Sequence, residues 1–288
     1  MNALERLHKT SIRATDVAAQ YWCERQMELN YTKGPKITAE IKKGRMMHEA
    51  MEQEVNVPIL LQPKSYSDSV YKSLYTSYMA LKQLPSNGRA REIQVYGSVN
   101  GYRIVGKIDE LSAKDGMVTI YEDKTKANDN LPSEPQMLSH KVQVLLYHKL
   151  VGDIKDKLYT YQNFSRIYGI NRLAMTDEFK RQLDALGIEP GLQSIDTVAK
   201  EFFNEFSGIK ELSNTLCIRY INQFTGKEIK LYKFEYSQDE ADQILTFSMK
   251  YWNGQRDALP VPFEEKWKCN YCVFFGKECK KWWPQKNL

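Results

Sequence analysis

Residues 102–124, YRIVGKIDELSAKDGMVTIYEDK, decide the fold. Apolar and polar residues alternate over 102–111 and again over 117–124, with Lys114-Asp115-Gly116 between them. This reads as two antiparallel strands joined by a tight turn. Residues 92–99 (EIQVYGSV) precede them across Asn100-Gly101, a second turn signal, so three consecutive strands form the centre of the chain. Side chains at i and i+2 of a strand share a face. Glu122 and Lys124 therefore project together, Asp109 at the end of the preceding strand can join them, and Asp123 should point to the opposite face. Two carboxylates converging on one point repel unless a hard cation separates them. Mg²⁺ or Mn²⁺ accepts such oxygen ligands and still keeps water and substrate phosphate in its shell. A lysine beside that cation can orient or deprotonate water and offset charge developing on a phosphate. The same short pattern also fits an ordinary strand pair with solvent-facing charges.

Helical patterns flank the strands. Residues 13–31 carry Val17, Ala18, Tyr21 and Trp22 along one face, with Thr15 as the expected N-cap. A second helix covers about 38–54, ended by Pro58 and Pro63, and a third covers 66–83 with Tyr71, Leu74, Tyr75, Tyr78 and Leu81 at spacings of three and four. After the strands, residues 136–151 form an amphipathic helix bearing Gln143 and Tyr147 at i and i+4. These two sit amid Val142, Val144, Leu145 and Leu146, either as a polar notch or as a core amide and a core tyrosine. Beyond it we expect a strand near 158–167, mixed helix over 176–207, a hairpin pairing 214–224 with 228–236, and a helix at 238–252.

Apolar residues at 42 % and charged residues at 27 % over 288 positions are ordinary for one large or two small globular domains. No apolar run approaches bilayer length, and Met1 to His8 lack the apolar centre of a secretory signal. An intracellular protein is expected, with cytoplasm, nucleus and organelle not distinguished. The net charge of +5 is compatible with a polyanion partner. Local clusters are stronger: residues 33–45 hold five basic side chains against one acid, and Lys268, Lys277, Lys280, Lys281 and Lys286 follow Trp267 against Glu278 alone.

Of the five cysteines, Cys269, Cys272 and Cys279 form C-x2-C-x6-C, a metal-site spacing rather than a disulfide framework. Three thiolates can wrap one soft metal centre and need a fourth ligand from elsewhere. Zinc and iron–sulfur fit this spacing equally. Cys217 lies in an alternating apolar strand and reads as a small buried hydrophobe. Cys23, on a helix beside polar residues, suits a ligand better.

Taken together, these residues resemble the PD-(D/E)xK nuclease superfamily in its RecB-like branch. Asp109 matches the first acidic position, Glu122 and Lys124 the E-x-K, Gln143 to Tyr147 the Q-x-x-x-Y helix, and Gly44-Arg-Met-Met-His48 the upstream G-x-x-x-H. One cysteine before these motifs and three after them resemble the iron–sulfur members, and Trp22-Cys23-Glu24-Arg25-Gln26 looks most like the exonuclease V family.

The resemblance implies an α/β fold with a restriction-endonuclease-like core, helical additions and a C-terminal cysteine-rich iron–sulfur segment. It implies one RecB-like nuclease domain over 1–288: a helical part at 1–90, the nuclease core at 91–170, a helical and hairpin extension at 171–260 and an iron–sulfur tail at 261–288. His48, Asp109 and Glu122 would hold Mg²⁺ or Mn²⁺, with the backbone carbonyl of Asp123 also touching the metal. Lys124 would position water, Gln143 and Tyr147 would orient the scissile strand, and Cys23, Cys269, Cys272 and Cys279 would hold a [4Fe–4S] cluster.

The expected activity is exonucleolytic hydrolysis of single-stranded DNA from a free end, in repair or replication. Lys33, Lys42, Lys43, Arg45 and Lys126 would track phosphates, and exposed aromatics would stack bases. Single-strand-binding or repair proteins are further candidate partners, and no membrane is expected. Two other readings stay open: a CRISPR-associated RecB-like nuclease of spacer acquisition, and a non-catalytic, zinc-stabilised nucleic-acid-binding module.

Overall fold

In the computed structural model, which describes residues 2–280, the chain opens with a single capped turn, α1 (Ala3–Arg6). A two-residue strand, β1 (Ile12–Arg13), runs directly into α2 (Ala14–Lys33). The cap of α2 is Arg13, whose backbone N–H donates to the Asp16 carboxylate at 2.8 Å, not Thr15 as expected. Helix α3 (Ala39–Gln53) starts at Thr38, whose hydroxyl accepts from Ile41 N–H. Helix α4 (Tyr66–Asn87) starts where Ser65 and Asp68 cap each other reciprocally.

The three central strands follow: β2 (Arg89–Val99), β3 (Tyr102–Lys114) and β4 (Met117–Lys126). Their turns, Asn100-Gly101 and Asp115-Gly116, hold positive φ at both positions (51° and 79°, 52° and 83°). That is the backbone of a two-residue hairpin turn whose twist matches its strands. Helix α5 (Glu134–Lys155) comes next, packing on α2 and across β2 and β4.

The strand expected near 158–167 is instead a helix, α6 (Tyr161–Tyr168), started by reciprocal hydrogen bonds between Thr160 and Asn163. Phe164 and Tyr168, four residues apart, are its buried pair. Helices α7 (Asp177–Ala185) and α8 (Ile195–Ser207) occupy the mixed helical stretch. A short β5 (Glu211–Leu212) precedes the hairpin of β6 (Thr215–Asn222) and β7 (Glu228–Glu235). Helix α9 (Gln238–Trp252) leads to a 3-10 stretch, Phe263–Tyr271. Lys281 and Lys286 of the basic tail lie outside the described residues.

Among the described residues, seven strands form one mixed sheet, ordered β1-β3-β4-β6-β7, with β2 pairing β3 and β5 pairing β4. The hairpin assigned to an extension is therefore part of the central sheet: β6 runs parallel to β4, with Glu122 opposite Ile218 and Lys124 opposite Tyr220. No helix among the described residues is long and apolar enough to cross a membrane.

The far side of β2, β3 and β4 carries a buried ion network. Arg91, with no exposed surface, donates to Glu110 and Asp123 at 2.6 Å each. Arg219 of β6 donates to the same Asp123 at 2.7 and 3.0 Å and to Glu110 at 3.1 Å. Burial works to raise both carboxyl groups, but the arginines outweigh it and hold Asp123 and Glu110 below their ordinary range. Removing one arginine would strand a buried carboxylate, so Arg91→Ala should cost about 3–5 kcal/mol by urea unfolding. Because the two acids are held ionised in the folded state, their contribution is complete above the ordinary carboxylate range. It should be lost as the pH falls below about 4, and acid titration of wild-type stability should show that loss.

Candidate active site and cysteine cavity

Every nuclease-motif residue read from the sequence faces one cleft of about 1040 Å³ between α3, the three central strands and α5. Its floor is the near side of β3 and β4. Asp109 Oδ2 accepts the backbone N–H of Asp123 at 2.8 Å, which fixes the carboxylate against the next strand. Glu122 Oε1 accepts from Lys124 Nζ and from Gln143 Nε2, both at 2.7 Å. Lys124 Nζ also donates to Gln143 Oε1 at 2.9 Å, and Gln143 Nε2 donates to the Tyr147 hydroxyl at 2.8 Å. The notch on α5 is thus a polar chain, Lys124–Glu122–Gln143–Tyr147, within a buried face. Asp123 points the other way, into the arginine network.

Charge is poorly balanced here. Burial and then the nearby Glu122 raise Asp109 well above the usual carboxylate range. Burial works to lower Lys124, but Glu122 and Asp109 outweigh it and keep the ammonium protonated above its ordinary range. Burial and both acids raise the Tyr147 phenol, so it stays neutral. Among the described residues, Glu122 Oε2 is buried without a hydrogen-bond partner. A buried carboxylate oxygen left unpaired costs several kcal/mol unless a cation or donor reaches it.

Two glycines let the walls close in. A Cβ at Gly44 would lie 2.7 Å from Thr125 Oγ1, so only glycine lets α3 rest on the end of β4. One turn later on α3, that contact sets His48 over the floor, with Nδ1 3.7 Å from Asp109 Oδ1. A Cβ at Gly106 would lie 2.6 Å from Tyr147 Cε1, so the tyrosine ring packs directly on the β3 backbone. Of the expected phosphate-tracking residues, Arg45 lines the cleft, Lys42 is exposed on α3 and Lys43 stacks over the Phe224 ring at 3.3 Å.

Sequence reading missed Glu92 of β2. Its ligand oxygen, His48 and Asp109 lie within 4.8 Å of one another, a closer group than any that includes Glu122. The residue has φ +56°, unusual for a non-glycine within a strand, and Lys107 pairs with its Oε2.

The four expected cysteines line a second, smaller cavity: Cys23, Cys269, Cys272 and Cys279. Cys23 is not within a regular helix, because α2 breaks there into extended backbone (φ −169°, ψ 112°). The break turns its sulfur to accept from Gln26 N–H. The flanks are locked to the C-terminal segment: buried Glu24 accepts from Arg256 and, at 2.8 Å, from Leu259 N–H, while Lys268 donates to the Trp22 carbonyl at 3.1 Å. Burial, then the other three cysteines, push the Cys23 thiol up to about 11. Thiolates that disfavour one another in this way coexist when a cation takes them. Cys217 lies apart, buried in β6 opposite Tyr121.

A family model described as "Exonuclease V - a 5' deoxyribonuclease" matches residues 2–117, 112–207 and 191–283. "Exonuclease V" of Danio rerio is 24 % identical over 294 residues, covering 94 % of this chain and 70 % of that protein. "Exonuclease V, mitochondrial" of Candida tropicalis is 30 % identical over 88 residues, covering 31 % of this chain and 14 % of its own length. Among solved structures, the one described as "Crystal structure of SSO0001" overlays with a TM-score of 0.44 at 16 % identity, covering 92 % of this chain and 84 % of that one.

The close seat of Tyr147 on Gly106 gives a direct test. Gly106→Val places new atoms against Tyr147 and also against Val95, whose Cγ1 is 2.9 Å from the built Cβ. Overpacking of that kind should lower stability by about 1–3 kcal/mol, read as a drop in thermal midpoint.

Proposed function

The chain belongs to the exonuclease V family, and from that premise we propose that it degrades single-stranded DNA from a free 5′ end by metal-dependent hydrolysis, in repair or replication. The observation that carries this reading is the buried, unpartnered Glu122 Oε2 beside the protonated Lys124 on the floor of an acid-rich cleft. Carboxylates outnumber cationic side chains along that cleft. Such a surface repels a phosphodiester until divalent cations reverse its sign.

The cleft's donors fit Mg²⁺ or Mn²⁺: Glu122 offers a free oxygen and Asp109 a second carboxylate, with the His48 imidazole on the other side of Asp109. When bound, the cation supplies charge neutralisation and a lowered pKa for water. The chain's own side chains do the rest. Lys124 acts as an ammonium: it is held at the floor by Glu122 and Gln143, orients the attacking water and offsets charge on the phosphate in flight. Tyr147, neutral and tied to Gln143, keeps that amide aimed. Arg13 and Arg45, at the rim, meet the flanking phosphates.

The cysteine cavity suits a [4Fe–4S] cluster that joins residue 23 to residues 269–279. Zinc is the other occupant its donors accept. Anaerobically purified protein should be brown, with visible thiolate-to-iron absorption that Cys23→Ser removes or strongly weakens. A colourless, zinc-bearing protein would overturn the iron assignment.

For the catalytic assignment, Lys124→Ala and Asp109→Ala should each slow degradation of end-labelled single-stranded DNA by about 10²-fold or more while keeping the wild-type far-UV spectrum. Undiminished cleavage by either would remove that residue from the mechanism. Blocking the 5′ end should stop degradation in Mg²⁺ and blocking the 3′ end should not. The reverse outcome would refute the 5′ polarity.

A further inference from the structure

The register of the three central strands aligns more than the two acids read from the sequence. Arg91 pairs with Glu110, and Glu110 with Tyr121. One step along each strand, that register sets Glu92, Asp109 and Glu122 side by side, and all three line the cleft. Like charges directly opposite one another destabilise a sheet, and here three stand in line. Each outer acid has one oxygen engaged by a lysine: Lys107 takes Glu92 Oε2, and Lys124 takes Glu122 Oε1. Each has its other oxygen free of a lysine. Glu122 Oε2 is buried and unpartnered. Glu92 Oε1 lies 3.6 Å from His48 Nδ1, and Asp109 Oδ1 lies 3.7 Å from the same nitrogen.

These last two separations are too long for hydrogen bonds. They suit ligands of one ion, since two atoms each about 2.1 Å from a cation can be up to about 4.2 Å apart. Glu92 also holds a left-handed backbone at φ +56° while its neighbours Arg91 and Ile93 stay paired to β3. That geometry costs about 1–2 kcal/mol in a residue with a Cβ. One turn along α3 from His48, Glu52 lines the same cleft, so the carboxylates extend past the row.

We propose that Glu92 is a metal ligand, and that with His48 and Asp109 it forms a divalent-cation position distinct from one between Asp109 and Glu122, so that the cleft takes two cations sharing Asp109. The Glu92 position, with an imidazole in its set, favours Mn²⁺ over Mg²⁺, whereas the all-oxygen position takes either. The catalytic meaning of the second cation rests on the nuclease reading. The cation position itself rests on the side chains described here.

Calorimetric titration of Mn²⁺ into protein whose cysteine site is already filled, without DNA, separates the two. Wild type should bind two ions. Glu92→Gln, which keeps length and shape, should bind one, with the other weakened at least about tenfold. Lys107→Ala, which removes only the salt-bridge partner of Glu92, should keep both. A wild-type stoichiometry of one, or a Glu92→Gln isotherm matching wild type, overturns the proposal. So does loss of one ion in Lys107→Ala to the same extent as in Glu92→Gln, because Glu92 would then act as a counter-ion. Wild-type degradation of single-stranded DNA in Mn²⁺, measured alongside, keeps the readings apart. Two bound ions without cleavage would sink the nuclease reading and leave Glu92 as a ligand. Cleavage with an unaltered Glu92→Gln isotherm would do the opposite.

Discussion

Asp123 and the two arginines that grip it, Arg91 from β2 and Arg219 from β6, fix the alignment on which the cleft depends. Strand β4 presents three charged residues in succession, and alternation sends Glu122 and Lys124 to one side and Asp123 to the other. A slip of one residue would exchange the sides. It would press Lys124 toward Arg91 and Arg219 while pulling Asp123 away from its partners, two charge errors in a buried setting. The far-side network therefore makes the near-side geometry the only inexpensive register. Its arginines reach Asp123 from β2 on one side of β4 and from β6 on the other, which is why β6 belongs to the core rather than to an appendage.

Above that floor, the walls are set by small residues rather than by strong contacts. Gly44 lets a helix touch the end of β4, and Gly106 lets a tyrosine ring touch β3. Both are negative features, defined by the atom they lack, and both place a polar side chain near the carboxylate row. The spacing of Gly44 and His48 in the sequence is one helical turn, so the glycine that makes the contact and the histidine that uses it face the same way.

Much of this was legible in the sequence because tight turns do arithmetic. Counting outward from Asn100-Gly101 places Glu92 opposite Asp109, and counting outward from Asp115-Gly116 places Asp109 opposite Glu122. The second count recovers the motif. The first would have found Glu92, which belongs to no short pattern and sits in a backbone conformation that strand reading does not anticipate. Residues 158–167 were misread because Tyr159, Tyr161 and Phe164 carry strand propensity over a short window. The Thr160–Asn163 cap, a stronger local signal, made the segment a helix. The break at Cys23 had no signal of its own. It exists because contacts to Leu259, Arg256 and Lys268, more than 200 residues away in sequence, pull the backbone out of its helix.

The cysteine cavity has a consequence for how the chain is made. Its thiols come from residue 23 and from residues 269–279, so a chain that lacks either stretch cannot assemble the four-sulfur site. The central strands, closed by two-residue turns, pair residues close in sequence, whereas the cysteine site joins residues more than 200 apart. Loading of the cavity therefore requires the whole span from Cys23 to Cys279: a chain truncated before Cys279 can carry the central strands yet never close the ring of sulfurs.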